Sequence, residues 1–115
     1  MTLHIVEKQV GTATVIELTG RIVMGEECTQ LRNKIKTLLA GKPHLVLDMA
    51  NVESIDSAGW GTLVASFTSA AKQGVRIVLT NLNKRLRVLL GITKLVDVFE
   101  TFDSVDDAVK SFEKK

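Results

Sequence analysis

Two short runs of mostly apolar residues constrain this sequence more than any other feature. The first is HLVLDM, residues His44 to Met49, and the second is VRIVLT, residues Val75 to Thr80. Continuous apolar runs of this length are typical of β-strands that are covered on both faces. Between the two runs, apolar side chains recur at helical spacing from Trp60 to Ala71. A strand, a helix and a second strand with short connections predict parallel strands joined by a right-handed crossover.

The N-terminal part of the chain adds a hairpin and a helix to this unit. Residues 3–9 and 13–19 are rich in β-formers and are separated by Gly11 and Thr12, which predicts two antiparallel strands with Gly20 closing the second. Apolar residues at helical spacing, from Cys28 to Leu39, then predict a helix.

The C-terminal part continues the alternation of helices and strands. A short helix is predicted from Leu82 to its end at Gly91, and LVDVF, residues 95–99, fits a last strand. Val105, Ala108, Val109 and Phe112 form one stripe of a terminal helix, which Ser104 or Asp103 would cap. The order β-β-α-β-α-β-α-β-α predicts one α/β domain over residues 1–115.

Composition argues against several classes of protein. The net charge is only +2 and aromatic residues make up 4%, which does not favour nucleic-acid binding. Cys28 is the only cysteine, so the chain has neither an internal disulfide nor a cysteine cluster for a metal. No apolar run approaches the length of a membrane span and the N-terminus lacks a signal-peptide core, so we expect a cytoplasmic protein.

The stretch SIDSAGWG, residues 54–61, is the main candidate for a functional site. It follows the first buried-type strand and precedes a helix, a position where functional groups gather in α/β sheets. Ser57 could cap the helix, although Asp56 could take that role and leave Ser57 pointing outward. The same position suits a phosphoserine, because a helix N-terminus offers free N–H groups and a positive dipole end. The residues alone leave both roles for Ser57 open.

Motifs of known catalytic and nucleotide sites are absent from this stretch. GWG is followed by no Gly-Lys-Ser/Thr, and Ser57 lacks the glycine two residues earlier that a nucleophile elbow uses. The two histidines, His4 and His44, both lie in strand-like segments, which argues against a Ser-His-Asp triad. The early strands also supply no acidic pair, so Asp48 is a poor match for the phosphoryl-accepting aspartate of a receiver domain.

The sequence resembles the STAS domain family, the anti-sigma factor antagonists of bacterial partner switching. The resemblance rests on LVLDMANVESIDSAGWGTLVASFTSAAKQG, which is similar to the family pattern hhLDhxxhxxhDSxGhxxL. The positions in register are Asp48, Val52, Ile55, Asp56, Ser57, Gly59 and Leu63. ATVIELTGRI upstream and VRIVLTNLNKRLRVLLGITKLVDVFETFDSVDDAV downstream extend the similarity over nearly the whole chain.

This resemblance implies a fold and a role. The fold is an α/β, mixed and mostly parallel sheet of four to five strands, with four helices packed mainly on one face. The role is to bind an anti-sigma factor that is also a serine kinase, until that kinase phosphorylates Ser57 and the complex dissociates. A serine phosphatase restores the unphosphorylated form. The chain would thus be no enzyme and would need no cofactor or metal, because ATP and Mg²⁺ belong to the kinase.

Partner contact is expected around the phosphorylated serine. The residues expected there are Asp56, Ser57, Ala58, Gly59, Trp60, Met24 and Glu26. Trp60 could be an exposed anchor for a partner or part of the core, and Gly59 could give room to a partner's backbone or to helix packing. Lys84, Arg85 and Arg87 could form a solvated helix face or contact an acidic partner.

The sequence departs from the family pattern at two positions. Many antagonists carry an aspartate in the loop where this chain has Val23 and Met24, and a second Ser or Thr where it has Ala58. The missing aspartate motivates an alternative, a STAS subunit of a transporter or scaffold complex that is never phosphorylated.

Overall fold

The computed structural model describes residues 3–41 and 43–113, which form five strands and four α-helices. The strands are β1 (Leu3–Val10), β2 (Ala13–Ile22), β3 (His44–Ile55), β4 (Ile77–Thr80) and β5 (Glu100–Phe102). The helices are α1 (Glu26–Leu39), α2 (Ser57–Lys72), α3 (Lys84–Ile92) and α4 (Val105–Glu113), with a 3₁₀ turn at Leu95–Asp97. The predicted order of strands and helices is confirmed.

The five strands form one sheet in the order β1-β2-β3-β4-β5. β1 and β2 are antiparallel and are joined by the predicted two-residue turn, in which Gly11 has a φ of 60°. The pairs β2–β3, β3–β4 and β4–β5 are all parallel. The sheet is therefore mixed and mostly parallel, as predicted.

Apolar side chains cover both faces of the sheet. Leu45, Leu47 and Leu79 belong to the larger core, together with buried residues of α1, α2 and α3. Val46 and Val78 point to the opposite face, where a smaller cluster packs against α4. Three consecutive crossovers of the same hand put their helices on one face, and α4, which follows the last strand, covers the other. Most of the helices thus pack on one face.

β2 and β3 are longer than the sequence pattern suggests, whereas β4 begins only at Ile77 of the run VRIVLT. β3 runs past Met49 to Ile55, and Val52 and Ile55 are buried. β2 runs through Gly20, which has a φ of 115°, and ends at Ile22. The pairing of β2 with β3 shifts register twice in this stretch. These irregularities interrupt the alternation of side chains, so the sequence pattern ends before the hydrogen bonding does.

Two boundaries near the C-terminus also differ from the sequence-based predictions. α3 continues through Gly91 to Ile92, and LVDVF is not a strand because Lys94, with a φ of 61°, leads into the 3₁₀ turn. The last strand is β5, three residues that pair with β4. Of the two candidate caps of α4, Ser104 takes the role, since its Oγ accepts the N–H of Asp107 at 3.1 Å.

Candidate functional site

Asp56, and not Ser57, caps helix α2. Its Oδ1 accepts the backbone N–H of Gly59 at 2.8 Å, and its backbone is extended, as is typical of an N-cap residue. Ser57 is the first helical residue, so a role as cap for it is wrong. A carboxylate is the stronger acceptor at the positive end of the helix dipole, which favours Asp56 in this position.

The second carboxylate oxygen of Asp56 holds the loop between β2 and α1. Oδ2 accepts the backbone N–H of Met24 at 2.9 Å, and the N–H of Asp56 donates to the carbonyl oxygen of Ile22 at 3.3 Å. The hydrogen bond from Met24 and then that from Gly59 hold the pKa of Asp56 below its ordinary value. Asp56 is therefore an anion that joins the loop to the start of α2.

Gly59 is required by the close approach of α2 to the end of β2. A Cβ atom at this position would lie 2.2 Å from the carbonyl oxygen of Ile22 and 2.7 Å from Cγ2 of Ile55. No real Cβ atom approaches another group so closely, so only glycine fits. Gly61, by contrast, has nothing within 4 Å of its would-be Cβ. Gly59 thus serves helix packing rather than the approach of a partner.

Ser57 is exposed at the start of α2. Its hydroxyl has no hydrogen-bond partner among the described residues, and Ala58 beside it is half-buried. A kinase or another protein can therefore reach the Ser57 hydroxyl without moving the helix.

The other predicted contact residues differ in their exposure. Met24 is 75% exposed and Glu26, at the start of α1, is also exposed. Trp60 is only 7% exposed and belongs to the larger core, as its place in the helical stripe indicates. Of the two alternatives for Trp60, the structure bears out burial in the core and not an exposed anchor.

We define the Ser57 surface as Met24, Glu26, Asp56, Ser57 and Ala58. All five lie at the edge of the sheet where parallel strands β2 and β3 end: Met24 on the loop before α1, Glu26 at the start of α1, and the other three at the start of α2. The sequence did not show that Ile22 and Gly59 support this surface, because the carbonyl contact joins residues that are far apart in the chain.

Residues 3–41 and 43–113 contain no group of three or more His, Cys, Asp and Glu side chains that could hold a metal ion. Asp48, the residue that a receiver-like site would use, lies within β3 and accepts hydrogen bonds from the N–H of Ala50 and Nδ2 of Asn81. No helix in the described part of the chain is long and apolar enough to cross a membrane.

Residues 4–108 match the model of the STAS domain family. An anti-sigma-B factor antagonist of Bacillus subtilis (strain 168) is 30% identical over 100 residues, which are 87% of this chain and 91% of that protein.

Several solved structures share the fold. An anti-sigma factor antagonist from Mycobacterium paratuberculosis superposes with a TM-score of 0.84 at 20% identity, covering 98% of this chain and 96% of that one. The phosphorylated form of the Bacillus cell fate determinant SpoIIAA gives 0.72 at 18% identity, covering 95% and 99% of the two chains. A sulfate transporter family protein from Wolinella succinogenes gives 0.69 at 22% identity, covering 84% and 81%. At these identities, the likeness shows a common fold.

Proposed function

Because the chain belongs to the STAS domain family, we propose that it is an anti-sigma factor antagonist that binds its partner through the Ser57 surface. The proposed partner is an anti-sigma factor that is also a serine kinase, which phosphorylates Ser57 in the cytoplasm. A serine phosphatase would reverse the modification. The chain is then a ligand and a substrate rather than an enzyme.

The exposure of Ser57 is the observation that carries this proposal. The preceding aspartate caps the helix, so the serine is left with a free hydroxyl on the first helical turn. A kinase can therefore reach the hydroxyl, and its phosphorylation would break no hydrogen bond among the described residues. The sequence relationship to an anti-sigma-B factor antagonist supports the same role.

The charges around Ser57 support a switch that works by repulsion. A phosphate adds about −1.5 to −2 charges next to Asp56, both of whose oxygens already accept hydrogen bonds. Protonation of Asp56 would not relieve the repulsion readily, because its pKa is lowered. The phosphorylated surface would thus present two adjacent anions to any partner that fitted the unmodified serine.

One observation favours a second function, constitutive assembly within a transporter or scaffold complex. The loop from Val23 to Gly25 contains no carboxylate, although many antagonists of the family have an aspartate there. Val23 is half-buried and Met24 is exposed, so the loop offers a partner an apolar contact instead. Under this proposal Ser57 is never modified.

Capture from a lysate of the source organism separates the two functions. Wild-type protein and the Ser57→Asp variant serve as bait, and Ser69→Asp, which alters an exposed serine near the other end of α2, is the control. The antagonist function predicts that wild type and Ser69→Asp capture an anti-sigma factor and that Ser57→Asp captures much less. Capture of transporter or scaffold subunits by all three proteins would support the second function.

Phosphorylation itself is tested by mass. The captured anti-sigma factor with ATP should add one phosphate to the wild-type chain and none to Ser57→Ala. A wild-type mass that stays unchanged with an active kinase would contradict regulated phosphorylation.

A further inference from the structure

Helix α3 carries two apolar stripes, of which only one faces the core. Leu86 and Leu90 are buried, with exposures of 0% and 2%. Val88 and Ile92, also four residues apart, are 50% and 73% exposed on another side of the helix. Residues at this spacing are neighbours on a helix surface. The outer pair does nothing for the packing of α3 against the sheet.

The outer apolar pair lies among basic residues that form no ion pair with the residues the structure describes. The segment from Asn81 to Val96 has four basic residues, Lys84, Arg85, Arg87 and Lys94, and no acidic residue. In the described part of the chain, the ion pairs are Lys8–Glu17, Lys34–Glu7 and Arg76–Glu100, and none includes α3. Lys84 and Arg85 also occupy the first turn of α3, where the helix dipole disfavours positive charge. The charge here therefore serves neither the helix nor an internal contact.

The start of α3 lies at the same edge of the sheet as Ser57. α2 follows β3 and α3 follows β4, and these strands are neighbouring and parallel, so both helices begin on the side of the sheet where the strands end. β3 runs on to Ile55, past Asp48, which pairs with the last residue of β4. Nδ2 of Asn83, the cap of α3, also donates to the carbonyl oxygen of Val52 in β3 at 3.3 Å. Basic residues thus lie at the start of α3, and Glu26 and Asp56 lie on the other side of Ser57, while the exposed Glu53 follows Val52 in β3.

We propose that Lys84, Arg85, Val88 and Ile92 form a second contact for the anti-sigma factor, which we term the α3 strip. This inference rests on the proposed function of the Ser57 surface. The strip fits an acidic patch of that protein with an apolar side chain at its centre. The opposite charges on the two sides of Ser57 would steer the partner and fix its orientation.

The composition of the strip favours a protein over a membrane surface. Helices that lie in a lipid interface insert large apolar side chains, typically Trp, Phe or Leu, along a long face. The strip offers only a valine and an isoleucine on a helix of nine residues. Such a small apolar centre with a charged rim is the usual composition of a protein interface.

The rate of association with the captured anti-sigma factor tests this inference. Arg85→Glu is compared with Lys110→Glu, which makes the same change in net charge on α4, on the opposite face of the sheet. At low ionic strength we expect Arg85→Glu to slow association by at least about threefold, because rim charges act mainly on association rates. Added salt should shrink the difference. The double variant Val88→Ala/Ile92→Ala should instead speed dissociation.

The possible outcomes separate this inference from the function on which it rests. If wild type binds and Ser57→Asp weakens binding, but Arg85→Glu behaves like Lys110→Glu, the α3 strip is no contact and the antagonist function stands. If wild type binds no anti-sigma factor, the proposed function fails first. Vesicles of phosphatidylserine provide a further arm: binding that Arg85→Glu abolishes, without an effect on the anti-sigma factor, would assign the strip to a membrane and overturn the inference.

Discussion

The backbone N–H of Met24 donates to Oδ2 of Asp56 at 2.9 Å, although the two residues lie 32 positions apart in the chain. Through this bond the loop before α1 and the start of α2 become one surface. The same carboxylate caps α2 through its other oxygen. Substitutions at Asp56 can therefore separate the two tasks.

Asp56→Asn should remove the loop contact and keep the cap. The side-chain oxygen of Asn can still accept the N–H of Gly59. Its NH₂ group, however, would face the N–H of Met24, and two donors cannot form a hydrogen bond with each other. We expect the free energy of unfolding to fall and amide exchange at Met24 to speed up. Asp56→Ala should destabilise the fold further, because the cap is lost too. Denaturant unfolding and hydrogen exchange measure these effects. Equal stability of wild type and both variants would contradict the role of Asp56.

The lowered pKa of Asp56 predicts how stability depends on pH. Because the pKa is lower in the folded than in the unfolded chain, the charged carboxylate stabilises the fold above its ordinary pKa of 3.8. This contribution is lost as the pH falls through the folded-state pKa. We expect the advantage of wild type over Asp56→Asn to be constant near neutral pH and to disappear in acid. Denaturant midpoints across this range measure it, and an advantage that grows on acidification would contradict the sign.

Gly59→Ala and Gly61→Ala should have opposite effects, although they make the same change two residues apart in α2. At Gly59 the new methyl would collide with the backbone of β2, so we expect a loss of about 1–3 kcal/mol. At Gly61 the space is open and alanine is the better helix former, so we expect a gain of up to about 1 kcal/mol. Thermal or denaturant unfolding of both variants tests the pair, and similar effects at the two positions would count against the described packing.

Met24→Ala should weaken partner binding without affecting stability. The side chain is 75% exposed, so its loss should change the free energy of unfolding by less than about 0.5 kcal/mol. Binding of the captured anti-sigma factor should weaken measurably, since Met24 is the exposed apolar group of the Ser57 surface. Val6→Ala, at an apolar residue of the edge strand β1 that is 54% exposed, is the control and should bind like wild type. Titration calorimetry measures both. Unchanged affinity in Met24→Ala would remove this residue from the contact.

Trp60→Phe should lower stability without weakening partner binding, the reverse of Met24→Ala. A buried ring in the core supports stability, so we expect the variant to unfold at lower denaturant concentration and yet, once folded, to bind the partner normally. Leu63→Ala, at a buried neighbour on the same helix, provides a comparison for destabilisation alone. A Trp60→Phe variant that keeps its stability but loses binding would show that the ring contacts the partner after all.

The sequence predicted the elements of this fold better than their ends. Buried-type runs show where a strand crosses the core: HLVLDM lies within β3, and residues Ile77 to Thr80 of VRIVLT form β4. The last residues of β3 are missed because bulges and polar residues disturb the alternation, while backbone hydrogen bonds, which leave no pattern in the sequence, continue. The segment LVDVF misled for a related reason, since a short apolar run fits a strand and a turn that packs on the core equally well.

The site was predicted in part. The position of Ser57 at the end of a strand and the start of a helix follows from the pattern alone. The pattern does not show which residue caps α2, because Asp56 and Ser57 are both good N-cap residues and only the path of the backbone distinguishes them. The sequence also could not show that Met24 and Gly59 meet the same side chain, since this depends on how β2 and β3 lie together.

The close contact of Gly59 with the end of β2 limits how phosphorylation of Ser57 could change this chain. Two hydrogen bonds to Asp56 and a backbone contact that admits only a hydrogen atom fix the first turn of α2 to its neighbours. A phosphate attached to the Ser57 hydroxyl would therefore displace the helix little. Such a switch would change the charge of the surface and not the backbone of this chain. The response to phosphorylation would then occur in the partner.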